Sequence, residues 1–277
     1  MKASSAAPLK WGTSLAVALL FLAPLLWMVL ASFRIEASIF ETPAHWFGGG
    51  GWTFEHYHDA WRRAALGQAF VNSLLQVAVI CSVGLLVNAM AAYAFARLDF
   101  KGREALFALV VILIILPVEV MAVPLFFTAR DLGLTGAYLP AMGGLVIPFL
   151  AKAFNIYFLR QHFLSVPVEL EEAAALDGAG AWRQFWNVAL PSVRPALATV
   201  VLLDLLVHWG DFLWPLLIGT REETRTVQIS LANLFTQPPI QWGDILAASV
   251  LVTLPVIALF RLFQRYIAVS DARSGIK

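Results

Sequence analysis

Residues 64–96 contain no Asp, Glu, Lys, Arg or His. A run of that kind suits the hydrocarbon core of a bilayer, about 30 Å thick, which an α-helix crosses in about 20 residues. Residues 11–33 form a second uncharged run, flanked by Lys10 and Arg34. It is too long for the apolar region of a signal peptide and no small-residue cleavage site follows, so it reads as a retained helix. Across the chain only 13% of residues are charged and 60% are hydrophobic. The charged share is about half that of a soluble domain. This excludes a disordered chain, a basic nucleic-acid-binding domain and most soluble enzymes; the lipid bilayer is the expected partner, nucleic acid is not. The single cysteine, Cys81, excludes an internal disulfide and a multi-thiolate metal site.

Six apolar segments are expected to span, at about 11–33, 70–95, 105–124, 139–158, 195–218 and 245–265. The expectation is an all-α integral membrane protein, one transmembrane domain over 1–277, with both termini on the same side. Thirteen Lys and Arg residues fall on the side of the termini, Lys152 among them, against six on the other. The excess of cations puts the termini in the cytoplasm. Trp46, Trp52, Trp61 and Trp242 fall in or beside the outer loops, where an indole ring suits the lipid–water boundary. No loop is long enough to bury its own core.

The longest cytoplasmic stretch, 159–194, is the most informative. Pro167 suits the first turn of a helix. Glu169, Glu171 and Glu172 follow where the helix dipole favours acids. Ala173, Ala174 and Ala175 are strong helix formers, and Gly178 after Asp177 suits a left-handed stop. A second helical segment, about 181–190, is expected to end at Pro191. Residue chemistry alone leaves two readings open. The hairpin is either a plain connector between spans, or a surface whose alanine face admits another protein.

The order Glu172-Ala173-Ala174, three residues, Gly178, nine residues, Val188-Ala189-Leu190-Pro191 resembles the EAA loop of ABC importer permeases. Ala91-Ala92-Tyr93-Ala94-Phe95-Ala96-Arg97, Leu116-Pro117-Val118-Glu119-Val120 and Trp209-Gly210-Asp211-Phe212-Leu213-Trp214-Pro215 are similar to segments of the carbohydrate-uptake branch, of the maltose-importer type with the smaller permease. Gly210 departs from the asparagine usual in that last signature. The resemblance implies a cytoplasmic coupling-helix hairpin between spans four and five. It would seat in a groove of a separate ATPase subunit through Glu171, Glu172, Ala173, Ala174, Asp177, Gly178, Leu190 and Pro191. It implies a heterodimer with a second permease, two ATP-binding subunits, an extracytoplasmic solute-binding protein, and residence in a bacterial or archaeal cytoplasmic (inner) membrane. It also implies translocation of a sugar or sugar-like solute. The glycine-rich places lack the Gly-Lys-Ser/Thr of a phosphate-binding loop, so no cofactor is expected on this chain, and ATP and Mg belong to the partner subunits.

Ionisable residues within spans normally face protein or a water-filled cavity. Asp204, His208 and Asp211, at i, i+4 and i+7, are expected on one helix face. They either line the solute path or its gate, or form a structural network. Glu119, beside Pro117, either lines the path or caps a broken helix. Asn72, Gln76 and Asn88 suit interhelical hydrogen bonds. His56-Tyr57-His58-Asp59 has no further ligand cluster, so no metal site is expected, and no catalytic residue is assigned. In maltose-type systems the loop before the last span reaches into the binding protein. By that resemblance Gln237, Pro238, Pro239, Ile240 and Gln241 are candidate contacts with such a protein, against the alternative of an ordinary interfacial loop. The competing functions are a secondary transporter, whose sign would be inverted repeats, and an importer permease for a non-sugar solute such as a glycerol phosphate.

Overall fold

A computed structural model describes residues 7–41 and 51–274, with side chains over 11–41 and 51–261. Lys2, Trp46 and Lys277 lie outside the described residues. The described structure is helical: α1 (Ala7–Ala31), α2 (Glu55–Arg63), α3 (Leu66–Arg97), α4 (Arg103–Ile115), α5 (Val118–Asp131), α6 (Tyr138–Phe149), α7 (Ala153–Ser165), α8 (Glu169–Leu176), α9 (Ala181–Ser192), α10 (Arg194–Trp209), α11 (Leu213–Ile218), α12 (Val227–Leu234) and α13 (Trp242–Ser274). Among the described residues no strand forms, only an isolated bridge between Arg34 and Trp52.

Three helical segments are long and apolar enough to cross a membrane: Trp11–Ala31, Leu66–Arg97 and Trp242–Arg261. Three further candidates are bent pairs: α4 with α5 at 108°, α6 with α7 at 45° and α9 with α10 at 77°. The expected third, fourth and fifth spans are therefore not straight helices. The third turns at Leu116-Pro117, because Pro117 has no N–H to give a helix and disfavours helical backbone at the residue before it. The fourth is broken at residues 150–152 and its second half runs on to Ser165, past the expected end at 158. The fifth stops at Trp209 and resumes as α11. There Pro215 is third in the new helix, a first-turn position where its missing N–H is harmless.

The chain divides into two compact units. One comprises Met1–Gly67 and Ser230–Pro255. Here α1 is apolar on every side and largely exposed, with Leu20 and Phe21 at 72% and 73%. A helix of that composition is covered by lipid or by another chain. The Glu36 carboxylate accepts the N–H groups of Trp242 (2.7 Å) and Gly243 (2.9 Å), the orphan donors at the start of α13. Beside them Asp244 is fully buried, with His56 Nδ1 at 2.9 Å and Arg63 Nη1 at 2.6 Å. Gly243 has to be glycine, since a Cβ there would run into the His56 ring.

The other unit comprises Gln68–Ile229 and Val256–Lys277. A π turn at Ile80–Gly84 interrupts α3, with Ser82 Oγ donating to the Ala78 carbonyl at 2.6 Å. A Cβ added at Gly84 would stand at ordinary contact distance from the Leu150 backbone, and Asn88, one turn on, serves the broken fourth span. Its Nδ2 donates to the Leu150 carbonyl (3.2 Å) and its Oδ1 accepts the Lys152 N–H (2.8 Å). Asn72 does the same for the loop before α12, donating to the carbonyls of Glu223 and Arg225, both at 2.8 Å. Gln76, the third polar residue of that span, has no hydrogen-bond partner among the described residues.

Two side-chain cores fill this unit. One joins Ala89, Ala92 and Tyr93 of α3 to Ile156, Leu159 and Phe163 of α7, Phe185 of α9 and Val200 of α10. The other joins Ile80 to Leu145, Phe149, Trp214 and Ile218. In lipid these helices gain little from removing apolar surface from water, so close packing and interhelical hydrogen bonds have to hold them. The alanines of α3 supply the close approach. Trp214 Nε1 donates to the Gly144 carbonyl at 3.0 Å. Gly144 is itself closed in, since an added Cβ would meet the Leu134 carbonyl and lie 3.1 Å from Ile218. Gly144→Ala is accordingly expected to destabilise the protein by about 1–3 kcal/mol. Gly143→Ala, where neighbours stand at ordinary contact distances, should leave the melting temperature in detergent close to wild type. Equal melting temperatures for the two variants would disprove the close fit.

Candidate functional site

The hairpin between α7 and α10 is built by local rules. Val166-Pro167 ends α7, and α8 begins two residues later with Glu169, Glu171 and Glu172 in its first turn. Its C-terminus closes on both hydrogen bonds of a Schellman motif. The Gly178 N–H reaches the Ala175 carbonyl and the Ala179 N–H reaches the Ala174 carbonyl, each at 2.9 Å. Gly178 has φ of +79°, as the left-handed stop requires. Gln184 Nε2 ties the turn by donating to the Ala179 carbonyl at 2.8 Å.

The second arm departs from expectation. It does not end at Pro191; α9 runs through that residue to Ser192. The physical reason lies one turn earlier, in the π turn at Phe185–Ala189. A widened turn there relieves the clash that a proline ring makes with the carbonyl four residues back. The chain bends instead at Val193, where φ is −106° and ψ is 17°, and Pro195 sits in the first turn of α10.

Of the residues expected at the coupling surface, Glu172, Ala173, Asp177 and Gly178 are exposed, and Ala174, Leu190 and Pro191 are half-buried. Glu171 is not at that surface. It is 6% exposed and turned inward against Tyr93 and Arg97 of α3. The exposed face carries apolar side chains that spacing did not single out: Leu176 at 90%, Trp182 at 63% and Leu170 at 50%.

The polar residues of the spans separate. Asp204 and His208 share the buried side of α10, at 1% and 4% exposure. Asp211 leaves that face because α10 ends at Trp209. It is half-buried, and its Oδ1 accepts the Trp214 N–H at 3.4 Å, at the start of α11. Asp204 takes the Lys152 ammonium at 2.6 Å and the Asn155 amide at 2.7 Å. Lys152, counted from sequence among the cytoplasmic cations, thus lies in the break between α6 and α7 as the counter-charge of a buried carboxylate. The His208 ring rests on Phe149 with centroids 4.9 Å apart, and its nitrogens have no hydrogen-bond partner among the described residues. Glu119 is exposed in the first turn of α5, where the helix dipole favours an acid.

In the loop before α13, Pro238, Pro239 and Ile240 are exposed and Gln237 and Gln241 half-buried. Sequence reasoning passed over the residue that holds this loop. Arg63 donates to the carbonyls of Gln237 (3.1 Å) and Pro239 (2.8 Å) and to Gln241 Oε1 (3.2 Å), and also grips Asp244. Two adjacent arginines ending a short helix were the available signal. His56 and His58 diverge, the first buried against Asp244 and the Arg34 carbonyl, the second exposed beside Asp59. Among the described residues no group of three metal-ligating side chains forms.

Breaking one half of a buried ion pair leaves an uncompensated charge, whereas replacing both halves by apolar groups is far better tolerated. Asp204→Leu is therefore expected to destabilise the detergent-solubilised protein by about 3–5 kcal/mol. The double variant Lys152→Met with Asp204→Leu should recover most of that in thermal denaturation. A double variant no more stable than the single one would show that the pair does more than neutralise itself.

Comparison with known proteins agrees with this geometry. The family described as binding-protein-dependent transport system inner membrane component matches residues 84–270. The diacetylchitobiose uptake system permease protein NgcG of Streptomyces coelicolor is 34% identical over 92% of this chain and 83% of its own length. The arabinooligosaccharides transport system permease protein AraQ of Halalkalibacterium halodurans is 33% identical over 100% of both chains. A solved bacterial ABC transporter involved in importing the acidic polysaccharide alginate shares the fold, with a TM-score of 0.79 and 24% identity over 96% of this chain and 99% of that one. The chain belongs to the family of binding-protein-dependent transport system inner membrane components, and is a permease subunit of an ABC importer, not an enzyme.

Proposed function

We propose that this permease carries an oligosaccharide or another sugar-like solute into the cytoplasm, driven by ATP hydrolysed on separate subunits that dock on the α8–α9 hairpin. The observation that carries the reading is the exposed face of that hairpin. Leu170, Leu176 and Trp182 are exposed on the hairpin, as are Glu172 and Ala173. A rigid turn, apolar knobs and one accessible acid suit a groove on a soluble partner with a basic residue at its rim.

The same reading places both termini and the hairpin in the cytoplasm of a bacterial or archaeal cell, on the cation-rich side of the membrane. Moving Lys152 out of the cytoplasmic count leaves twelve cations against six, so the bias stands. Six crossings follow if α4 with α5, α6 with α7 and α10 with α11 each act as one span, α9 staying with the hairpin. Six helices are few to enclose a sugar path, so a second permease, two ATPase copies and an external binding protein complete the assembly. ATP and Mg stay on the ATPases. Asp204 is taken up by Lys152 and Asn155, which favours its structural role over direct contact with solute. Pro238, Pro239 and Ile240, held out by Arg63, are the surface offered to the binding protein.

Three measurements test this. Glu172→Arg should release the ATPase during purification of the importer, and Gly178→Ala should lower transport-coupled ATP hydrolysis. The added methyl meets nothing within 4 Å, so its effect is conformational, about 1 kcal/mol. An ATPase that stays bound to Glu172→Arg refutes the docking surface. Deleting residues 237–241 should abolish stimulation of the ATPase by loaded binding protein, and unchanged stimulation would refute that loop's role.

A further inference from the structure

Glu171 sits in the middle of the hairpin sequence yet faces its own chain. Its Oε1 accepts from Arg97 Nε at 2.7 Å and its Oε2 from the Tyr93 hydroxyl at 3.1 Å. Arg97 has a second hold, Nη2 donating to the Val166 carbonyl at 2.6 Å. Tyr93 and Arg97 are one turn apart at the end of α3. Val166 and Glu171 bracket the entry to α8. One guanidinium and one phenol of α3 therefore hold the hairpin at two points along its chain.

Phe185 of the second arm also packs on Tyr93, with ring centroids 5.2 Å apart, and two open clefts flank the junction. A cleft of about 220 Å³ lies among Tyr93, Arg97, Glu171, Glu172 and Gln184, and an apolar one of about 190 Å³ beneath Met90, Trp182 and Phe185. The other exit from the hairpin is the 77° bend between α9 and α10, which displacement can flex. Charge-assisted hydrogen bonds are short, directional and about twice as strong as neutral ones, so they add a defined geometry to the non-directional apolar packing beside them. The carboxylate and guanidinium are 8% and 13% exposed, so water competes little for them.

We infer that Arg97, assisted by Tyr93, is a positioning residue that converts movement of the hairpin into movement of α3. This inference rests on the hairpin being the ATPase docking element. The test uses the assembled importer in proteoliposomes, reading solute moved per ATP hydrolysed and the stimulation of hydrolysis by loaded binding protein. Arg97→Gln should keep the ATPase through purification and lose most of that stimulation. Arg97→Lys should recover part of it, and Tyr93→Phe, which keeps the ring packing, should show a partial loss of solute moved per ATP. In a Cys81→Ser background, Arg97→Cys with Glu171→Cys should be uncoupled until a short bifunctional thiol reagent bridges the pair, and uncoupled again on reduction. Wild-type coupling in both Arg97→Lys and Tyr93→Phe, or a bridge that restores nothing, overturns the inference. If Glu172→Arg still holds the ATPase, the docking reading itself has failed. If it releases the ATPase while Arg97→Lys and Tyr93→Phe couple normally, only the grip is wrong.

Discussion

Asn88 bonds to two backbone groups that no helix serves, the Leu150 carbonyl and the Lys152 N–H. In a bilayer that constraint governs everything else. Backbone polar groups have no water to turn to, so a helix can break only where protein satisfies the groups it frees. The broken fourth span is tolerated because α3 brings an asparagine to the gap. The π turns obey the same constraint. Ser82 serves the Ala78 carbonyl beside one of them, and the other lets Pro191 pass without ending α9.

Charge is handled by a related rule. Each buried carboxylate described above has a cation of its own unit against it. Lys152 faces Asp204, Arg97 faces Glu171, and Arg63 and His56 face Asp244. Paired in this way, the charges become braces that join segments distant in the chain. One seats the broken fourth span on α10, one holds the hairpin on α3, and one fixes the start of α13 and the loop before it.

Helical class, apolar spans and the hairpin with its glycine stop were legible because they rest on local rules: hydrocarbon-length apolar runs, capping and the αL preference of glycine. The break at Pro117 was legible for the same reason. The expected common face of Asp204, His208 and Asp211 was not, because the spacing argument assumed a helix continuing past Trp209. Glu171 was misplaced because it and Glu172 are adjacent acids of like propensity. Only the third dimension shows that one meets Arg97 and the other meets solvent. The adjacent arginines ending α2 marked Arg63 as a candidate, but not the loop it holds, since its partners there lie more than 170 residues away.

The amino-acid order alone determined that this chain belongs in a bilayer and that the turn after α8 closes on Gly178. Hydrophobic run length and backbone sterics act within a few residues and need no partner. The tertiary structure decided which acids are braces and which are available for contact, where the spans bend, and which cation neutralises which carboxylate. Those outcomes depend on desolvation and on hydrogen-bond distances between remote segments, quantities that do not exist until the chain is packed.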